Sequence, residues 1–224
     1  MAAIEVIDLN FAYGKNQILK NLSFVGQAGQ CVGIVGRNGC GKSTLLSILA
    51  GMRKPAAGDI VLRGENACRN ARLFRERTGF VPQENTLFDE LTVMDNLRLW
   101  YLDSKVLKQE LATGQLARLG LAPLVHRSIK KLSGGQKKRV SIACALAGNP
   151  GILILDEPGA ALDLEAKAGI MSYLEEYKAQ GGCVILTSHE EQELNLCNQL
   201  FVLKEGTLHE TDPSLRGEAL VRQF

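Results

Sequence analysis

Two hydrophobic periods take turns along this chain. Alternating or continuous short apolar runs stand at residues 4–9 (Ile-Glu-Val-Ile-Asp-Leu), Gln17–Phe24, Cys31–Val35, Gly58–Gly64, Gly79–Val81, Ile152–Leu155 and Cys183–Leu186, with a final pair at Gln199–Leu203 and Thr207–Glu210. Runs of this length, rich in β-branched residues and bounded by Gly, Pro or Asn, predict strands. The turn Tyr13-Gly14-Lys15-Asn16 makes the first two an antiparallel lobe, and Lys204-Glu205-Gly206 makes the last two an edge hairpin. Between the strands the spacing changes to three and four. Leu45, Leu46, Ile48 and Leu49 predict a helix after Cys31–Val35, Arg69–Arg77 a polar helix, and Leu162–Gln180 a helix closed by Gly181-Gly182. The longest helical stretch runs from Leu91 to about Ala147, where Val93, Leu97, Trp100, Leu107, Leu111, Leu116 and Leu119 recur at helical intervals. The last dozen residues predict a short tail helix. The pattern is therefore α/β, with a mostly parallel core sheet, an N-terminal antiparallel β lobe and an α-helical subdomain at 84–147 inserted into a single 1–224 domain.

Composition narrows this only in places. With 224 residues and 46% hydrophobic content the chain can bury a substantial core. No apolar run reaches the roughly 18 residues of a membrane-spanning helix, so the chain is not expected to cross a bilayer by itself. The start, MAAIEVIDLNF, brings Glu5 and Asp8 early and has no basic segment, which predicts no secretion signal and a cytoplasmic location. Lys and Arg number 26 against 24 acids, so net charge gives no argument for nucleic acid or for an anionic surface. Six cysteines, at 31, 40, 68, 144, 183 and 197, show no metal-ligand spacing and are expected as reduced, mostly buried thiols.

The chemistry begins at Gly36, Arg37, Asn38, Gly39, Cys40, Gly41, Lys42, Ser43 and Thr44, the sequence GRNGCGKST. Two glycines separated by four residues and followed by Lys-Ser form a phosphate-binding P-loop when they join a strand to a helix, as the flanking pattern requires here. Glycines let backbone N–H groups converge on phosphate oxygens, and the helix beginning near Lys42 adds its positive end. Lys42 would reach the β- and γ-phosphates and Ser43 would bind Mg²⁺. Cys40 within this loop is either a small residue at a variable position or a reactive active-site thiol.

Further polar residues stand at the ends of apolar runs. Tyr13 on the first turn either stacks on a nucleotide base or packs. Gln83, after Gly79–Val81, either serves Mg²⁺ or water, or is a surface turn residue. Ser133, Gly134, Gly135 and Gln136 open a helix, with Ser133 as N-cap, and form a second helix N-terminus suited to an anion, or a plain cap. Asp156 and Glu157 end the buried run Ile152–Leu155, where open α/β sheets place ligand chemistry. Asp156 there suits the Mg²⁺ shell and Glu157 the polarisation of a water. His189 follows Cys183–Leu186 and is by itself as compatible with a structural role as with a catalytic one.

Taken in order, GRNGCGKST, Gln83 in FVPQ, LSGGQ, ILILDEP, Ala161-Leu162-Asp163 and His189 in TSH resemble the motif set of ABC-transporter ATP-binding subunits over essentially the full chain. The resemblance implies the P-loop NTPase fold of ABC ATPase type, with ATP and Mg²⁺ as ligands and ATP hydrolysis as the activity. It implies that Tyr13 stacks on adenine, residues 36–44 hold the phosphates, Gln83 and Asp156 serve the metal, Glu157 is the general base and His189 senses the γ-phosphate. It also implies a head-to-tail pair with a second copy or a homologous ATPase subunit, in which Ser133–Gln136 of one copy closes over ATP held by the other. The family usually has Ser where this chain has Ala160, which removes one hydroxyl from the expected dimer seam.

The expected partners are separate integral membrane transporter subunits, docked near Gln83, and no nucleic acid. That places the chain peripherally on the inner face of the cell membrane. The compact segment from Leu91 to Leu132 and the sequence SGGQKKR are more similar to exporter than to importer subunits. A soluble ABC ATPase of an iron–sulfur assembly system is the alternative; a non-catalytic binding module fits less well with Asp156, Glu157 and His189 all present.

Overall fold

The computed structural model describes residues 1–84 and 86–224. A twisted hairpin of β1 (Ala2–Tyr13) and β2 (Asn16–Gln27) opens the chain, followed by β3 (Cys31–Val35), α1 (Lys42–Leu49), β4 (Ala57–Leu62) and a two-residue β5 (Glu65–Asn66). Next come α2 (Arg72–Arg77), β6 (Thr78–Val81), α3 (Val93–Arg98), α4 (Ser104–Ala112), α5 (Gln115–Arg118) and α6 (Gly134–Ala145). The remainder is β7 (Ile152–Asp156), α7 (Leu164–Ala179), β8 (Cys183–Thr187), α8 (Glu191–Leu194), β9 (Gln199–Lys204), β10 (Thr207–Thr211) and α9 (Gly217–Val221).

The strands form two sheets. One is antiparallel, in the order β2-β1-β4-β5; the other has the order β10-β9-β3-β8-β7-β6. In the second sheet β9, β3, β8, β7 and β6 run parallel and β10 alone is antiparallel, at the edge. Every residue of β3, β7 and β8 is buried, as expected for parallel strands covered on both faces.

The period of two sorts each strand between two cores. Val32, Ile34, Ile152, Ile154, Cys183, Ile185, Phe201 and Leu203 face a cluster with Leu9, Leu22 and Ile60 of the antiparallel sheet and Leu45 and Leu49 of α1. Val35, Leu153, Leu155, Val184, Leu186, Leu200 and Val202 face the opposite cluster, with Leu97, Leu116, Val140 and Ile142 between β6 and β7 and Leu174 of α7. The central sheet is the shared wall of both layers.

Most expected elements appear, and the differences have local causes. The run Leu91–Ala147 is helical but broken: α3, α4 and α5 are short, two 3₁₀ turns occupy Ala122–Leu124 and Ile129–Lys131, and Thr92 bridges Ser128 as isolated β structure. Gly114, Gly120 and Pro123 supply the breaks. The expected strand Gly58–Gly64 stops at Leu62, because Arg63 and Gly64 both take positive φ, 47° and 83°, and turn the chain back into β5. The tail helix is one turn, Gly217–Val221, anchored by buried Leu220. Cys31, Cys144, Cys183 and Cys197 are buried and Cys40 and Cys68 partly so; all six are free thiols.

Candidate functional site

The phosphate loop hangs from the end of β3. Gly36, Gly39 and Gly41 take φ of 150°, 78° and 110°, the left-handed side that L side chains avoid. Close packing adds to this: a Cβ on Gly36 would lie 2.5 Å from the Leu203 carbonyl oxygen, and one on Gly41 2.8 Å from Ile18 Cγ2. No side chain caps the first turn of α1 and no acid stands in it, so its N–H groups and the positive end of its dipole are offered to an external anion. Lys42 is 7% exposed. Its ammonium donates to the carbonyl oxygens of Gly36 at 2.8 Å and Arg37 at 3.2 Å.

Above the loop lies a cavity of about 470 Å³. Tyr13 and Ile18 wall it from the β1–β2 hairpin, Asn38, Gly39, Gly41, Lys42, Ser43 and Thr44 form its floor, and Gln83, Glu157 and His189 close the far side. Tyr13 is half exposed at 46%; Phe11 meets its ring edge-on at 4.9 Å, and the Arg53 guanidinium stands 5.4 Å from its centroid. Arg37 and Cys40 do not line this cavity. They border a neighbouring one of about 420 Å³ with Leu203, Val221 and Phe224.

The acidic side is built by sheet register. Parallel pairing sets Asp156 beside Thr187, and the Thr187 hydroxyl donates to Asp156 Oδ1 at 2.5 Å. The Glu157 N–H donates to both the carbonyl and the hydroxyl oxygen of Thr187, each at 3.1 Å. Those bonds hold Glu157 at φ 45°, an uncommon conformation for a residue with a side chain. Its Oε2 accepts from Gln83 Nε2 at 2.8 Å, and its Oε1 lies 3.8 Å from His189 Nε2. Gln83, Glu157 and His189, carried by three loops, thus meet at one carboxylate.

These residues offer oxygen donors to a divalent cation. Asp156 is 5% exposed with one carboxylate oxygen held by Thr187, Gln83 turns its donor end to Glu157 and keeps its carbonyl oxygen free of that bond, and Ser43 offers a hydroxyl. Oxygen donors of this kind suit Mg²⁺. Among the described residues no cluster of three or more His, Cys, Asp or Glu forms a metal site, so the remaining ligands would come from phosphate and water.

Ser133, Gly134, Gly135 and Gln136 do not line the cavity. They start α6 with a complete capping box: Ser133 Oγ accepts from the Gln136 N–H, and the Gln136 side chain accepts from the Ser133 N–H. Ser133 and Gly134 are exposed, while Gly135 packs so closely on α7 that an added Cβ would lie 2.3 Å from that of Ala166.

Three contributors escape sequence reasoning. Thr187 stands on the neighbouring strand, remote in sequence from the Asp156 and Glu157 that it holds. Lys138 and Glu193 are 2% and 1% exposed, yet each sits in a charged run, KKR or EEQE, that reads as a solvated face. Burial pushes the Glu193 carboxyl pKa up. The Ser188 hydroxyl and Gly159 N–H temper that rise without closing a hydrogen bond of good geometry.

Comparison with known proteins agrees with this geometry. The family described as ABC transporter matches residues 19–160. The Nod factor export ATP-binding protein I of Rhizobium meliloti (strain 1021) is 37% identical over 208 residues, covering 91% of this chain and 62% of that protein. This chain spans between 61% and 66% of the length of three such Nod factor export relatives. Among solved structures, a dimeric ATP-binding cassette in a post-hydrolysis state, bound to ADP and Pi, superposes with a TM-score of 0.82 at 28% identity, covering 96% of this chain and 99% of that one. The structure of cbiO1 from Clostridium perfringens, part of the ABC transporter complex cbiONQ, gives 0.84 at 30% identity over 99% and 92%.

Proposed function

The chain belongs to the ABC transporter ATP-binding family, and from that premise we propose that it binds and hydrolyses ATP to drive export through separate membrane subunits. The observation that carries this reading is the cavity that joins the glycine loop and Lys42 to the Gln83–Glu157–His189 cluster. A triphosphate fits the loop, where N–H groups and Lys42 meet its oxygens, and the base lies against Tyr13. Lys42 exchanges its bonds to the Gly36 and Arg37 carbonyls for phosphate. Glu157, partly shielded, takes the proton of the attacking water, Gln83 orients the carboxylate, and His189 donates to the γ-phosphate. Ser43, Gln83 and Asp156 would hold Mg²⁺, which would supply charge neutralisation at the phosphate oxygens.

Half of this site comes from a second copy or a homologous subunit. Exposed Ser133 and Gly134 at the start of the twelve-residue α6 lie outside their own chain's cavity, and a head-to-tail pair sets them over the partner's ATP. The relative bound to ADP and Pi is a dimer, which supports this reading. Loss of the γ-phosphate then weakens the pair, and opening does work on the membrane subunits.

Those subunits have a surface to meet. An apolar groove of about 790 Å³ runs among Met52, Phe74, Phe80, Leu87, Trp100 and Leu102, with Met52 67%, Trp100 59% and Leu102 95% exposed. Exposed apolar side chains gathered along one groove suit an interaction site. No helix among the described residues is long and apolar enough to cross a membrane, so the reading places the chain on the inner face through its partners and treats 84–147 as the docking subdomain. The export direction rests on the Nod factor export relatives.

The test is phosphate release by the purified chain with MgATP as protein concentration is varied. Turnover per chain rises with concentration, and Glu157→Gln abolishes it while retaining ATP binding. Normal turnover by that variant removes Glu157 from the base role; turnover per chain that is independent of concentration removes the shared site.

A further inference from the structure

Lys138 sits in α6, one turn beyond the Ser133 cap, and is 2% exposed. A lysine this deep is normally paired with a carboxylate; among the described residues Lys138 makes no ion pair. Its ammonium instead donates to two successive backbone carbonyls, Pro82 at 3.1 Å and Gln83 at 2.9 Å. Burial lowers its pKa, and the fields of Asp156 and Glu193 offset part of that. A buried cation is an expensive way to hold a loop, and an apolar side chain would fill the same space. The charge therefore asks for a reason beyond packing.

The loop it holds supplies one. Gln83 is exposed, yet its side chain meets Glu157 at 2.8 Å. The contacts form one continuous path: the Ser133 capping box, the helix to Lys138, the Gln83 carbonyl, the Gln83 amide and the Glu157 carboxylate. We propose that Lys138 is a positioning residue, which fixes Gln83 against Glu157 and passes the placement of the α6 N-terminus to the base. This rests on the ATPase reading above, under which that N-terminus meets nucleotide held by the second copy. Lys138 then links engagement of one shared site to readiness of the other.

A double-mutant cycle tests the link, because contacts that act in series are not additive. Lys138→Met should lower kcat about tenfold with KM for ATP within about twofold, and turn a sigmoidal dependence on ATP hyperbolic. In a Gln83→Ala background the same substitution should change kcat by less than about twofold. Fluorescent-nucleotide binding and circular dichroism verify the fold; if Lys138→Met does not fold, Lys138→Gln, which keeps a donor, is expected to show a smaller loss in the same pattern. Wild-type turnover with an unaffected Lys138 variant, or with effects that multiply in the Gln83→Ala background, overturns the link and leaves the ATPase reading standing. A wild-type chain without turnover overturns both.

Discussion

Gln83 Nε2 donates to Glu157 Oε2 across 2.8 Å, tying the loop after β6 to the carboxyl end of β7. The bond fixes which way the proposed base faces, because among the described residues Glu157 is otherwise held by its backbone and by His189 at 3.8 Å. Gln83→Ala removes this restraint without touching the phosphate loop. We expect kcat to fall roughly 10- to 100-fold, part of what a positioned base contributes, with affinity for ATP in the absence of Mg²⁺ nearly unchanged. Parallel phosphate-release and calorimetric titrations separate the two effects.

Lys42 is nearly buried and spends its donors on Gly36 and Arg37. Lys42→Met should leave the fold intact, since the loop is shaped by its glycines. Hydrogen bonds to charged groups contribute about 1.5–3 kcal/mol, so nucleotide affinity should drop roughly 10- to 100-fold. Equilibrium binding of a fluorescent ATP analogue reads this directly, and unchanged affinity would remove Lys42 from the phosphate site.

At Gly135 the limit is space. A methyl group added there would bring its carbon within 2.3 Å of the Ala166 Cβ, so Gly135→Ala forces α6 away from α7, an overpacking cost of about 1–3 kcal/mol. For a chain of this size each kcal/mol lowers Tm by about 2–4 °C. Gly134, whose nearest obstacle is Leu162 Cδ2 at 3.4 Å, should tolerate Ala with a much smaller shift. Thermal melts of the two variants side by side decide the matter.

Glu193 predicts a pH dependence. Its carboxyl is raised above the ordinary value of 4.5 by burial, with Lys167 opposing and Glu190 adding to the shift. Above 4.5 the unfolded chain releases this proton while the folded chain keeps it, so the folded state binds more protons and loses stability as pH rises toward the folded pKa. Glu193→Gln removes that slope. The Tm advantage of the variant over the wild type should therefore grow from acid to neutral pH; a constant difference would contradict the sign.

The backbone geometry of the candidate site is largely legible in sequence because its demands are local. Glycines at 36, 39 and 41 answer positive φ, and Ser133 with Gln136 three residues on forms the capping box that their spacing implies. The parallel sheet is legible for a similar reason, since strands covered on both faces must be apolar throughout. What sequence hides is burial of charge. KKR and EEQE look alike whether solvated or packed, and only the tertiary arrangement sends Lys138 to the Gln83 loop and Glu193 toward Gly159. β5 escapes because two residues carry no period, whereas the breaks within 91–147 follow from Gly114, Gly120 and Pro123.

The backbone of Glu157 has one more consequence. A left-handed conformation costs a residue with a Cβ about 1–2 kcal/mol, so the chain carries its carboxylate at a position where glycine would be more comfortable. Glu157→Gly is thus expected to be lifeless as an enzyme and sturdier as a fold. At this corner the residue that would best suit the backbone and the residue that the proposed chemistry needs are different ones.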